Sequence, residues 1–574
     1  MTKDERITHE VIRHALTAVS REMGVTLRMT SCSPIFNEGN DYSCAIFDAQ
    51  GRLVTHGEFL PIHLGALSFS VFHARAAFEQ EGLQEGDTVI MNDPYRGGSH
   101  LPDVTMVSPI VHEGETVAYA ANRAHHLDIG GAVPGSFFSG ATDNYQEGLR
   151  ISPMKLFRAG ARDVHLLQLV TENSRLPQQM RVDMESQVSA NRTAIERVGA
   201  LHERYGAQVV GAAMRGALEN SERRMRAVIA SWPDGDYTAS DWLDNDGVQD
   251  EPREIRVTLR VRGERIEVDF TGSSEQTEGP LNSVLGYTCS GVYMTLQAAT
   301  DPDIPPNAGC HRPIEIVAPE GSIVNPHFPA PCTGGNETVF VISAAIFRAL
   351  AQIEGARTMA CDQGSSNNML ISDYDPRVSG ANPHPSGADP RGSRRYVLYE
   401  YPEGGWGANA ERDGLSAVYS IAGNTWNVPV EVVERRFPLR VERYELRQDS
   451  GGTGTHRGGL GIRREHRILG HAAEVSILGN RVMVPPWGYA GGGEGGAAKY
   501  EVRREGSEPF NPAPRFGSKA AGVPLRAGDV VVQDTAGGGG WGDPQARARE
   551  SVERDVRLGY VSAEAAQREY GYRP

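Results

Sequence analysis

The sequence predicts a mixed α+β protein of several layers, with a helical hairpin segment around residues 160–232 and a β-rich C-terminal half. Three observations predict it. Apolar residues recur at helical spacing through 160–232, where glycine and proline thin out. The period shifts to two from residue 237 onward. Glycine is in excess, at 66 of 574 residues or about 11%, against a typical ~7%. It has no collagen-like period, so the excess belongs in turns, bends and loops that approach something closely.

The first 20 residues read as a surface helix, with Ile7, Val11, Ile12, Ala15, Leu16 and Val19 on one stripe. TLRMTSCSPI and YSCAIFDAQGRLVTHG read as strands, the second folding back at Asp48-Ala49-Gln50-Gly51. A helix is expected over 60–80, opening after Pro61. The strand DTVIMND leads into a Gly/Pro loop, followed by VTMVSPIV, a turn at Glu113-Gly114 and TVAYAANRAHH. In the helical segment, Val188, Ile195, Val198 and Leu201 make one stripe. Val210, Met214, Leu218, Met225 and Val228 make another, with a break near Tyr205-Gly206. EIRVTLRVRGERIEVDFTG is a strand pair turning at Arg262-Gly263. Residues 280–300 and 333–356 read as helices and 371–396 as a long surface loop. Residues 437–535 read as short strands between glycine turns, and 544–574 as a helical tail. The composition shifts divide the chain into 1–160, 161–235, 236–436 and 437–574.

Composition narrows the function. A formal charge of −16 has the wrong sign for wrapping nucleic acid or an anionic membrane. No run approaches the 18 apolar residues of a bilayer span, and the N-terminus lacks the apolar core of a signal peptide; a cytoplasmic protein is expected. The six cysteines are scattered without a CxxC pair and read as buried small hydrophobes.

Several motifs fail on spacing or context. The P-loop pattern and GxSxG are absent. GxGxxG occurs at Gly491, Gly493 and Gly496, but a strand-like segment follows it instead of a helix. His9-Glu10 is followed by His14, one position too far for a shared metal-facing side of a helix.

Two loops carry the chemistry. Residues 92–103 run Asn-Asp-Pro-Tyr-Arg-Gly-Gly-Ser-His-Leu-Pro-Asp, and 122–131 run Asn-Arg-Ala-His-His-Leu-Asp-Ile-Gly-Gly. If the strands between them form a hairpin, both loops return to one sheet edge and His100 and Asp103 meet His125 or His126. Imidazole nitrogens with carboxylate oxygens suit Zn²⁺, Mn²⁺ or Fe²⁺, and three protein ligands leave a position open. The same residue types also cap helices and satisfy turns. Asp41 is a further carboxylate or a turn residue before a strand. His63 and the double-glycine segments near 335, 405 and 538 are weaker signals. At Gly334-Gly335-Asn336-Glu337 a helix begins, with Asn336 as the expected N-cap.

The segments MNDPYRGGSHLPDV, AHHLDIGG, CTGGNETVF, YEYPEGGWGANAERDG, NTWNVPVEVVE and VPPWGYAGG, in this order, resemble the hydantoinase B / oxoprolinase family. The resemblance runs from about residue 5 to 545. Its members include B-type subunits of ATP-dependent N-methylhydantoinase, 5-oxoprolinase and caprolactamase, and related subunits of acetone and acetophenone carboxylases. The resemblance implies a hydrolase of cyclic amides such as hydantoins, lactams and oxoproline. It implies an actin-like hydantoinase A partner that binds ATP and phosphorylates the substrate, and a hetero-oligomer of the two. It also implies a divalent metal held by Asp41, His100, Asp103 and His125. His126 then lines the pocket or supports the ligands from behind, because relatives often carry Trp there. A subunit of an ATP-dependent ketone carboxylase is the alternative reading. In either case a poor electrophile is activated by O-phosphorylation, and a metal lowers the pKa of water toward ~7.

Overall fold

The computed structural model describes residues 2–377 and 394–573. Helix α1 (Lys3–Thr30) opens with a capping box, Thr2 and Glu5 each bonding the other's backbone N–H. It takes in residues 26–30, the first half of the segment expected as the strand TLRMTSCSPI. Leu27 continues the stripe Ile12, Leu16, Val19 and Met23 on the buried face, so the helical period persists where β-branched residues suggested a strand. A short turn of helix, α2 (Pro34–Asn37), follows.

The first sheet is antiparallel throughout, in the order β2-β1-β5-β4-β3-β6-β7. Its strands are β1 (Tyr42–Asp48), β2 (Leu53–His56), β3 (Thr88–Met91), β4 (Asp103–His112), β5 (Glu115–His125), β6 (Met154–Arg158) and β7 (Ala161–Arg162). The expected turn after β1 is held by Asp48, whose side chain accepts from the N–H groups of Gln50 and Arg52. Helix α3 (Ile62–Ala77) covers one face of the sheet, where Leu67, Val71 and Ala74 meet Ala45, Phe47, Val107 and Ala121. α4 (Val164–Glu172) and α5 (Pro177–Tyr205) lie beyond the other face. There, α1 and α5 bury Ile12, Leu16, Ala190 and Ala194 against Ala118, Ala120 and Ala124.

Helix α6 (Ala207–Ile229) follows α5 at Gly206, whose φ of +78° ends the first helix at the expected break. The main partner of α5 is α1 and not α6: Arg197 pairs with Glu22, and the Thr193 and Thr26 hydroxyls meet at 3.2 Å. The N-terminal stripe thus claims the face that a self-contained hairpin would have used.

A second sheet, of β8 (Gly235–Leu243), β9 (Arg253–Arg262), β10 (Arg265–Asp269) and β11 (Ile314–Val317), includes the strand pair expected around Arg262-Gly263. Helices α7 (Leu285–Ala299) and α8 (Ala308–His311) link β10 to β11 within this sheet, and α9 (Gly335–Leu350) leads on to the next. The layers run from the first sheet through α3, α7 and α9 to β8 and β9.

Two further four-stranded sheets form the C-terminal half. One contains β12 (Asn368–Asp375) and β13 (Arg394–Glu400), with strands at Ala473–Leu478 and Lys519–Leu525. The other is built from Leu439–Leu446, Ile462–Ile468, Val530–Asp534 and Lys499–Arg503. Met369, Ile371, Leu398, Val475 and Ile477 face Leu439, Ile468, Tyr500 and Val531 across their shared core. The expected loop over 371–396 is therefore strand at both ends, and its middle, 378–393, lies outside the described residues. Two short helices, Arg549–Arg557 and Ala563–Tyr570, close the chain.

The glycines of this half do more than turn the chain. Gly538 donates to Gly459 O and accepts from Gly452 N, while Gly540 donates to Gly493 O and Gly539 to Cys361 O. A Cβ on Gly538 would stand 2.0 Å from Trp406 O, and one on Gly492 would stand 2.2 Å from Gly540 O. Backbones from 404–408, 451–461, 487–496 and 536–541 pack directly on one another. Residues 491–496 belong to this web, and the strand Lys499–Arg503 follows them, so their glycines serve close packing and not a strand-to-helix nucleotide turn.

Candidate metal centre

The β4–β5 hairpin builds the site from its register. Asp103 lies opposite His125 and Thr105 opposite Arg123; on the far side of β5, Ser43 of β1 lies opposite Arg123. The N–H of His125 donates to Asp41 O at 3.1 Å, extending the pairing one residue beyond β1. Side chains alternate across a sheet. Asp103, Thr105, Arg123 and His125 therefore share the α3 face, and His126 falls on the opposite one. His126 Nε2 meets Gln187 Oε1 of α5 at 2.9 Å, and its ring packs edge-on to Phe36. Burial lowers its pKa to about 4.

The 92–102 loop delivers His100. Asn92 donates to Leu101 O and Leu149 O, and Arg150 pairs with Asp93 at 2.9 Å. Gly97 has a φ of +88°, and a Cβ there would lie 2.4 Å from the backbone of Phe69 and Ser70, so only glycine fits. The fully buried Arg123 ties this loop to the sheet by donating to Gly97 O, Ser70 Oγ and Thr105 Oγ1.

Together these elements bring His100, Asp103 and His125 into one buried group, with one ligand atom from each within 4.8 Å of the others. His125 Nδ1 is 3.1 Å from Asp103 Oδ1 and 3.0 Å from His100 Nε2; His100 Nδ1 is 3.3 Å from Asp103 Oδ2. Asp41 is also buried, and its carboxyl feels the charges of His125, His63 and Asp103, but it falls outside the three-residue group. Burial raises its carboxyl to about 6, against the pull of His125 and His63. Burial lowers His100 to about 3, leaving a neutral imidazole. Burial alone would raise Asp103, but the surrounding imidazoles and their hydrogen bonds hold it well below the usual carboxylate range.

Two imidazoles and one ionised carboxylate form the donor set a divalent transition metal takes. His100 Nδ1 is buried without a hydrogen-bond partner among the described residues, and two ring nitrogens stand 3.0 Å apart with a carboxylate between them. These residues fit a metal.

The weaker signal at His63 has a place here. The second residue of α3, it sets Nε2 3.2 Å from Asp103 Oδ2, while Ser99 donates to the same oxygen. Both fix the carboxylate from behind. Motif spacing did not reveal the aromatic wall. Phe137 lies 5.6 and 5.5 Å from the His100 and His125 rings, Tyr399 lies 5.2 Å from His125, and Tyr287 stacks on His100 at 6.3 Å. Phe137 and Tyr287 gave no sequence signal beyond glycine-flanked aromatic segments, while Tyr399 opens the family-like segment YEYPEGGWGANAERDG. Asn336 is the second residue of α9 and not its cap, which is Gly334. Glu337 beside it is fully buried, accepting from Ser366 N and from Asn368, which in turn accepts from Tyr399. Burial raises its carboxyl to about 7.

An uncharacterized protein of Methanocaldococcus jannaschii is 36% identical over 569 residues, covering 99% of this chain and 96% of its own. The B-type subunit of a putative D-/L-hydantoinase from Pseudomonas sp. is 32% identical over 587 residues, covering 100% and 95%. The crystal structure of ATP-dependent caprolactamase from Pseudomonas jessenii superposes with a TM-score of 0.89 at 30% identity, covering 99% of this chain and 96% of that one. The family model for hydantoinase B/oxoprolinase matches residues 5–544, and the chain belongs to that family.

Proposed function

We propose that this protein is the metal-containing B-type subunit of an ATP-dependent cyclic amide hydrolase in the cytoplasm, acting on a ring phosphorylated by an actin-like A-type partner. The buried His100/Asp103/His125 group carries the reading. The similarity to a putative hydantoinase of more than one subunit and to an ATP-dependent caprolactamase supports the substrate class and the division of labour. No P-loop lies in this chain, which fits an ATP site on the partner.

An amide resists attack because nitrogen donates into the carbonyl, and O-phosphorylation turns its oxygen into a leaving group. A divalent metal held by His100, Asp103 and His125 would supply Lewis acidity and a lowered water pKa. The chain's own residues do the rest. Ser99 and His63 fix the Asp103 carboxylate. Arg123 holds the loop that aims His100. Phe137, Tyr287 and Tyr399, each at most 7% exposed, keep bulk water away from the centre.

Co-expression with an A-type partner, followed by size-exclusion chromatography and assay of ring opening with ATP, tests the reading. The two chains are expected to co-elute and to require each other for turnover. Ring opening by this chain alone, or failure to co-elute, refutes it. Bicarbonate-dependent consumption of a ketone would assign the site to a carboxylase instead.

A further inference from the structure

Alternation along β13 sorts its aromatic residues. Tyr396 and Leu398 enter the C-terminal core, while Val397, Tyr399 and, just past the strand, Tyr401 enter the core that holds the metal centre. Tyr399 packs against the His125 ring at 5.2 Å, Tyr401 against Tyr399 at 4.9 Å, and Tyr419 against Tyr401 at 5.9 Å. Two of these three hydroxyls are anchored. Tyr399 donates to Asn368 Oδ1 at 2.7 Å, and Tyr419 bonds Ser366. The Tyr401 hydroxyl is buried and has no partner among the described residues.

An unmade hydrogen bond on a buried group costs roughly 1–3 kcal/mol, and most native polar groups avoid it. Here room is even made for it. A Cβ on Gly39 would stand 2.3 Å from Tyr401 Oη, so the glycine two residues before Asp41 leaves the hydroxyl its space. Burial and the charge of Asp41 push the phenol well above its usual range, which keeps it a proton donor at any working pH.

We propose that Tyr401 is a substrate-contacting residue, its hydroxyl donating a hydrogen bond to the amide acceptor of a ring seated against the His100/His125 side of the centre. This rests on the proposed function for the identity of the ring. A hydroxyl donor suits both forms of that ring. The parent amide offers the carbonyl oxygen, and its O-phosphorylated form offers the lone pair of the ring nitrogen. Bound substrate thus recovers the bond that the free protein leaves unmade.

Tyr401→Phe removes the hydroxyl and nothing else. The full chain and this variant are compared by melting temperature and by calorimetric titration with ε-caprolactam and with hydantoin. The variant is expected to melt at the wild-type temperature or above it, because the lost group had no partner. It should bind the ring about tenfold more weakly. Tyr399→Phe, which breaks the Asn368 bond, should melt lower. Equal affinity in wild type and Tyr401→Phe overturns the proposal, as does a loss of affinity that comes with a lower melting temperature. Failure of both rings to bind the wild-type chain also overturns it. Tyr401-dependent binding in a chain whose complex opens no cyclic amide would refute the proposed function and leave this contact standing. Turnover by the complex with kcat/KM unchanged in Tyr401→Phe would do the reverse.

Discussion

His125 and Asp103 face each other across the β4–β5 pair, with Nδ1 3.1 Å from Oδ1, and neither is more than 3% exposed. A histidine and a carboxylate set in register on adjacent strands cannot drift apart without breaking the ladder. The next residue, His126, is carried to the other face by the same ladder. This relationship separates the two histidines by geometry.

The purified chain is therefore expected to carry close to one transition metal per molecule, read by elemental analysis of protein prepared without chelator. His125→Ala should lose that metal. His126→Ala should retain it and instead lose about 1–3 kcal/mol of stability, from the broken Gln187 bond and the contact with Phe36. Equal metal loss in the two variants would contradict the assignment.

The glycine web predicts an unusual sensitivity to a single methyl group. Gly538→Ala would drive a Cβ to 2.0 Å from Trp406 O, where only backbone can yield; a loss of about 3 kcal/mol or more is expected. Gly114→Ala serves as comparison. Its Cβ would meet nothing within 4 Å, and only its φ of +83° opposes it, at about 1 kcal/mol. Denaturant titration of both variants measures the difference.

Glu147 should make stability fall with rising pH. Burial raises its carboxyl to about 7, although the Cys332 and Thr333 N–H groups and Asn144 pull it down. Between the unfolded carboxyl value and about 7 the native chain holds a proton that the unfolded chain has released, so raising pH through this window favours unfolding. A decline of the order of 1–3 kcal/mol is expected. Glu147→Gln, which removes this titration while keeping an acceptor for both N–H groups, should lessen the decline between about pH 4.5 and 7, leaving the part that Glu337 contributes over the same range.

The isolated chain should not hydrolyse ATP. Two of its GxGxxG glycines are engaged with other backbones, the Gly493 N–H donating to Thr453 O and the Gly496 N–H to Ser450 O, and Gly492 between them packs on Gly540. Gly492→Ala is expected to lower the melting temperature without touching any nucleotide affinity. Steady phosphate release by the pure wild-type chain, abolished by a substitution within it, would contradict this.

Much of the frame was legible in the sequence because it is local. The β4–β5 hairpin, the turn at Asp48, the break at Gly206 and the strand pair at Arg262-Gly263 are written in period and turn residues. His100, Asp103 and His125 converge once that hairpin closes. The TLRMT segment misled because β-branched residues sat on an amphipathic helix whose stripe ran on to Leu27, and packing outweighs propensity. What only the tertiary structure decided depends on distant pairings. His63 reaches Asp103 from α3, α1 takes the face of α5, and Tyr287 and Tyr399 come from far along the chain to wall the centre. Their positions follow from which helices and sheets stack on which. Apolar periodicity says that a face is buried, but not against what.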